Sequence, residues 1–203
     1  VFLDPNALSD DGTVTANLSG ASPDGRYVVE VRNAAGSDWQ EMRVLDLETG
    51  ETTGEVLEWV KFSGASWVDG GFYYSRYPAP EGSAYSAENT FHSVYFHKVG
   101  TPQSEDELVF RNNNEPNRYH FAGTTEDGKY VVLNTSTGTD GNSLHVKSLN
   151  EEGAEWAPIV DGFTHHSSVV EHVHGKLYML TDIDAPRYRL VAVDPADPSN
   201  MAL

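Results

Sequence analysis

Ala21-Ser22-Pro23-Asp24-Gly25-Arg26-Tyr27, running on into Val28-Val29-Glu30-Val31, decides the reading of this chain. Small residues lead into a Pro-Asp-Gly turn, and the chain leaves as an alternating, β-branched strand. Proline fixes φ, aspartate bonds its own backbone and glycine supplies φ > 0, so the stretch is a hairpin. Thr125-Glu126-Asp127-Gly128-Lys129-Tyr130-Val131-Val132-Leu133 repeats it closely. Trp67-Val68-Asp69-Gly70-Gly71-Phe72-Tyr73-Tyr74 and His172-Val173-His174-Gly175-Lys176-Leu177-Tyr178 repeat it loosely. The glycines at 25, 70, 128 and 175 stand 45, 58 and 47 residues apart. Short strands recurring every 40–50 residues or so mark the blades of a β-propeller.

The fold expected is therefore all-β, a partial β-propeller of four-stranded antiparallel blades. Residues 1–12 end a preceding blade, with Val1-Phe2-Leu3-Asp4 as its strand. Blades then occupy 13–61, 62–116, 117–162 and 163–203. In the second, Tyr77 to Glu88 interrupts the strand pattern and accounts for the long step between glycines. Such a loop is functional or mobile, and its Pro, Gly, Ser and Ala content predicts mobility. The last blade stops at Asp194-Pro195-Ala196-Asp197-Pro198 without a recognisable outer strand. Apolar residues follow no helical period, so no long helix is expected.

Composition limits the function classes. The 203 residues suffice for one large all-β domain or two small ones. The formal charge of -18 argues against a nucleic-acid partner, whose phosphates need basic neutralisation. No stretch approaches the length of a transmembrane helix, and no basic-plus-apolar leader opens the chain, so no membrane partner is expected. Val1 is not a natural start residue, which suggests a mature chain or an excised piece. The absence of cysteine leaves cytoplasmic and periplasmic locations both open.

Several patterns could carry chemistry. A serine nucleophile elbow needs Gly-x-Ser-x-Gly, and no serine has glycine two before and two after it. Ser66 has Gly64 but Val68; Ser22 has Gly20 but Asp24. No catalytic residue is therefore assigned. His165, His166, His172 and His174 cluster, and His172 and His174 would face one side of a strand as two metal ligands could. No carboxylate pattern or cysteine completes a site, so these read as ordinary strand or hairpin histidines, and no metal or other cofactor is assigned. Asp10-Asp11-Gly12 and Thr139-Asp140-Gly141-Asn142 offer oxygen ligands, but neither forms a complete calcium loop and turn chemistry explains both. Trp39, Trp59, Trp67 and Trp156 suit packing between sheets better than a ligand platform.

Seven motifs together resemble the prolyl oligopeptidase family. They are Val1-Phe2-Leu3-Asp4-Pro5-Asn6, Leu8-Ser9-Asp10-Asp11-Gly12-Thr13-Val14, Gly36-Ser37-Asp38-Trp39, Val60-Lys61-Phe62-Ser63, Tyr74-Ser75-Arg76-Tyr77-Pro78, Gly100-Thr101-Pro102-Gln103-Ser104-Glu105-Asp106 and Pro186-Arg187-Tyr188-Arg189-Leu190. The resemblance spans nearly the whole chain, in order and spacing. It implies a parent serine peptidase in which a seven-bladed propeller covers an α/β-hydrolase domain bearing a Ser-Asp-His triad. That parent cleaves short peptides after proline. This chain then holds about four of the seven blades, and the hydrolase domain of the same parent chain is its first partner. Short proline-containing peptides are its second.

The resemblance also implies a role for the propeller in limiting access, and three substrate-binding positions. Phe62 matches the pocket aromatic within Val-Lys-Phe-Ser. Tyr119 falls where animal members carry Met, and Thr139 where they carry Cys. By residue type and place alone, Phe62 would be a packed inner-strand residue. The competing reading is a freestanding propeller-type binding module, distinguished by whether a nucleophile elbow follows downstream. A propeller cut open exposes two blade faces, so self-association through them is expected. The chain alone is expected not to cleave prolyl peptides.

Overall fold

A computed structural model describes residues 3–34, 36–81 and 88–202. Residues 82–87, the heart of the insert for which the sequence predicts mobility, lie outside them, as do Val1 and Phe2. The chain divides into two compact units, residues 1–113 and 114–203.

The first unit carries β1 (Val14–Ala21), β2 (Tyr27–Ala34), β3 (Gln40–Asp46), β4 (Thr52–Val60), β5 (Ser66–Val68), β6 (Gly71–Arg76), β7 (Ser93–Lys98) and β8 (Glu107–Phe110). Each strand pairs antiparallel with the next within β1–β4 and within β5–β8. A single pair, Val60 opposite Arg76, joins β4 to β6. Alternation puts Val29 and Val31 of β2 and Met42 and Val44 of β3 on one buried face with Leu57 and Val60 of β4. That face packs against Trp67 of β5, Phe72 and Tyr74 of β6 and Tyr95 of β7. The approach is close: a Cβ on Gly20, at φ +67°, would stand 2.7 Å from the Ala65 carbonyl and 3.0 Å from the Trp67 ring. Only glycine fits there.

The second unit carries β9 (Tyr119–Thr124), β10 (Tyr130–Ser136), β11 (Asn142–Ser148) and β12 (Ala157–Val160) in one sheet. A second sheet holds β13 (Ser167–Val173), β14 (Lys176–Thr181), β15 (Arg189–Asp194) and β16 (Asp197–Ala202). Both are antiparallel in chain order. Val132, Leu144, Val146, Ile159 and Val160 of the first meet Leu177, Met179, Val191 and Val193 of the second. Asn142 joins the sheets, donating to the Ser167 carbonyl and accepting the Ser167 N–H, both at 2.9 Å. The helices among the described residues are two three-residue 3-10 turns, Pro5–Ala7 and Gln103–Glu105.

Both close copies of the opening stretch are the turns expected. Gly25 N–H donates to the Ser22 carbonyl at 2.8 Å, and Asp24 accepts from both the Ser22 hydroxyl and the Arg26 N–H. Gly128, Thr125, Asp127 and Lys129 repeat that arrangement atom for atom.

Two local expectations are corrected, and the structure decides a third. Leu3 and Asp4 are not in a strand; Asp4 instead caps the 3-10 turn through the Asn6 N–H. The last sheet does have an outer strand, β16, although Asp197-Pro198-Ser199-Asn200 lacks β-branched residues. Pairing with β15 creates it, and Pro198 is tolerated because β16 lies at the sheet edge. Of the strand and hairpin readings open for His174, the structure shows the hairpin. It occupies the turn to β14 at φ +51°, followed by Gly175 at +76°, the mirror-image geometry of a two-residue hairpin.

Candidate functional site

Phe62 lies in the connection between β4 and β5. It is neither in a strand nor buried: 61% of its surface is exposed, at φ +56°. A bulky residue with positive φ is a genuine outlier. Its neighbours are anchored. Lys61 is buried, with its ammonium 4.1 Å from the centroid of the Trp39 ring. The Lys61 carbonyl faces Nε2 of buried His92 at 3.2 Å, and the Ser63 hydroxyl accepts the Ser75 N–H at 2.8 Å. Trp39 meets Trp59 and Tyr77 edge to face, at 5.6 and 6.0 Å.

Tyr119 and Thr139 belong to the second unit, at one end of its first sheet. Tyr119 opens β9 opposite Ser136, the last residue of β10, and Thr139 lies exposed in the β10–β11 connection. The Tyr119 and Phe121 rings lie nearly parallel, 8° apart with centroids at 6.5 Å. Residues two apart on a strand share a face, so the two rings form an aromatic ledge on β9.

The histidines are held by carboxylates. His172 Nδ1 lies 2.7 Å from Asp127, and His165 Nδ1 lies 3.1 Å from Asp182. Burial works against ionisation of Asp127, but hydrogen bonds from His172, Thr125 and Lys129 outweigh it and hold the carboxyl well below the usual range. His97, absent from the sequence reading, is fully buried. Its Nδ1 lies 2.7 Å from Asp106, whose other oxygen accepts the Tyr74 hydroxyl at 2.5 Å. Burial pushes the Tyr74 phenol up, and the Asp106 carboxylate adds to that. This chain ties β6 and β7 to the segment entering β8. Among the described residues, no group of three or more His, Cys, Asp or Glu is placed to hold a metal ion. Asp11 accepts from Thr13, as a turn residue does.

The sequence motifs marked Phe62, Tyr119 and Thr139, and they contain Lys61, Trp39 and Tyr77 beside Phe62, but they do not contain His92. The one available signal for a buried cluster was Lys61, which directly follows Trp59 and Val60 at the end of β4.

Two facing pairs of four-stranded antiparallel sheets, with loops carrying exposed aromatics, define a protein of the β-propeller class. The profile described as "Prolyl oligopeptidase, N-terminal beta-propeller domain" matches residues 1–202. The chain belongs to the prolyl oligopeptidase family, as its N-terminal propeller portion. It is 41% identical over 200 residues to a prolyl endopeptidase of Elizabethkingia meningoseptica, covering 98% of this chain and 28% of that protein. It is 32% identical over 214 residues to a dual function macrocyclase-peptidase of Galerina marginata, covering 96% of this chain and 29% of that protein. A solved structure of prolyl oligopeptidase B from Galerina marginata, bound to a 35mer hydrolysis and macrocyclization substrate, superimposes with TM-score 0.88 at 28% identity. It covers 98% of this chain and 30% of that one. The chain thus spans less than a third of the length of these relatives.

Proposed function

We propose that this chain is the substrate-gating propeller segment of a proline-specific serine endopeptidase acting on short peptides. The observation that carries the reading is the family match over residues 1–202; the 61% exposure of Phe62, the aromatic of the Val-Lys-Phe-Ser motif, supports a contact role for that ring. Solvent exposure of a large ring on a strained backbone is costly unless the ring has something to meet.

On this reading the reaction is divided between domains. Acyl transfer needs a nucleophile, a positioned base and oxyanion donors held within about an ångström of their working geometry. No serine here has the Gly-x-Ser-x-Gly context that presents a nucleophile. Those groups come from the α/β-hydrolase domain of the parent chain. The propeller contributes apolar contact upstream of the substrate proline through Phe62; Tyr119 and Thr139 are further substrate-contact positions by resemblance. Phe62 supplies about 1–2 kcal/mol of binding. Such contact improves capture of the substrate and leaves the chemical barrier to the other domain. The propeller also restricts entry, so large folded proteins are excluded.

The test compares the complete gene product with residues 1–203 alone on a blocked Gly-Pro chromogenic substrate. The complete product should hydrolyse it and be blocked by a serine-directed inhibitor, and the chain alone should not. In the complete product, Phe62→Ala should mainly raise KM for substrates with an apolar residue upstream of proline. Lack of hydrolysis by the complete product would favour a freestanding binding module.

A further inference from the structure

We propose that His92 is a positioning residue for Phe62, acting through the peptide that joins Lys61 to Phe62. The inference rests on the reading of Phe62 as a pocket residue. A bulky side chain stays in the left-handed region only where its surroundings over-determine the backbone. At Phe62, with φ +56°, those surroundings can be named.

The Lys61 carbonyl belongs to the same planar unit as the Phe62 N–H. Fixing the direction of that carbonyl fixes the plane, and with it the axis about which φ of Phe62 is set. His92 Nε2 lies 3.2 Å from this carbonyl oxygen, a geometry that requires the proton on Nε2. The ring is 1% exposed and packs 4.8 Å from Tyr77, so the donor is not free to turn away. Lys61 is fixed in turn by its side chain, whose ammonium sits 4.1 Å from the Trp39 centroid. On the far side, the Ser63 hydroxyl receives the Ser75 N–H at 2.8 Å. Phe62 is therefore pinned at the residue before it and the residue after it, with 61% of its surface exposed. Trp59 and Phe91 also have left-handed backbones, at φ +62° and +63°. One packs on Trp39 and the other immediately precedes His92, so three of the six left-handed non-glycine residues among the described residues lie in or beside this cluster.

The test uses the complete gene product and two blocked prolyl substrates, with an apolar residue or glycine upstream of proline. His92→Phe keeps a buried ring without the donor; His92→Gln keeps a donor. His92→Phe is expected to raise KM for the apolar substrate about fivefold, the size of one hydrogen bond, with kcat unchanged. His92→Gln should restore most of it. In a Phe62→Ala background, His92→Phe should change nothing further. An equal KM rise in that background, or a fall in kcat at constant KM, would overturn the proposal. If Phe62→Ala alone leaves KM unchanged, the pocket reading fails by itself. The positioning claim is then decided by a crystal structure of His92→Phe. Departure of Phe62 from the left-handed region supports it, and retention of the same backbone overturns it. Should His92→Phe not fold, His92→Leu takes its place in both measurements.

Discussion

The turns at 22–27 and 125–130 have the same internal bonds and different neighbours. In each, a hydroxyl residue and an aspartate three positions into the turn satisfy the same backbone groups. The first then looks inward to its own sheet, where Arg26 meets Asp46 at 3.2 Å. The element that crosses to it from the next sheet is apolar: Trp67, packed with Tyr27 in the shared core. The second turn is met by an ionisable clasp. Asp127 binds His172 of the next sheet, and the Glu126 N–H donates to Glu171 at 3.0 Å. Local hydrogen bonding thus fixes a turn's shape, and the choice of what docks on it remains open.

The largest expected effect comes from breaking the apolar junction. Trp67→Ala should cost about 3–5 kcal/mol in urea unfolding, because a buried ring in a two-sheet core leaves a cavity. His172→Phe breaks the other junction and should cost less, about 1–2 kcal/mol, since Asp127 keeps its bonds from Thr125 and Lys129. An equal loss at both sites would show that the hydrogen-bonded clasp carries as much as the apolar one.

The two junctions also separate by pH. The Asp127 carboxyl is held below its unfolded value, so the folded state binds fewer protons in the window between the two. Its contribution is present above about pH 4 and is lost as pH falls through the folded value. The stability gap between wild type and His172→Phe should therefore narrow in acid, while the gap for Trp67→Ala should not. Parallel urea titrations from about pH 7 to about pH 3 check this. The smallest expected effect lies within the turns themselves. Ser22→Ala and Thr125→Val should each cost about 1 kcal/mol, and by similar amounts, because both remove the same acceptor and donor. A marked inequality would mean that the neighbours reach into the turns after all.

These contrasts also explain what could be read in advance. Pro23-Asp24-Gly25 and Asp127-Gly128 announce their turns because the bonds are made within a few residues. The alternation of Val29, Val31, Met42 and Val44 announces a buried face for the same reason. β16 was hidden because nothing in Asp197-Pro198-Ser199-Asn200 favours a strand; its partner β15 imposes one. His174-Gly175 announced its hairpin through the glycine, and the positive φ of both residues completes it. At the candidate site, Val60-Lys61-Phe62-Ser63 marked the exposed ring as a motif. His92 left no comparable trace, because its partner carbonyl is 31 residues away and is reached only through the fold.

The Val60–Arg76 pair has a mechanical consequence. Around it, the Tyr77 N–H adds one bond to the Trp59 carbonyl at 3.0 Å, and the ladder goes no further. A force that pulls β1–β4 away from β5–β8 loads one short rung at a time and then the side-chain interface. It does not shear a long row of hydrogen bonds together. Stiffness between these sheets is therefore set by contact among Val29, Met42, Leu57, Trp67 and Phe72, a soft, short-ranged spring, with scattered side-chain bonds such as those of Gln103 to the Glu58 backbone. Within each sheet the antiparallel ladder, broken only by local register shifts, is the stiffer element. The first unit behaves as two stiff plates on a compliant mount, with Phe62 carried on the strip of chain that bridges them.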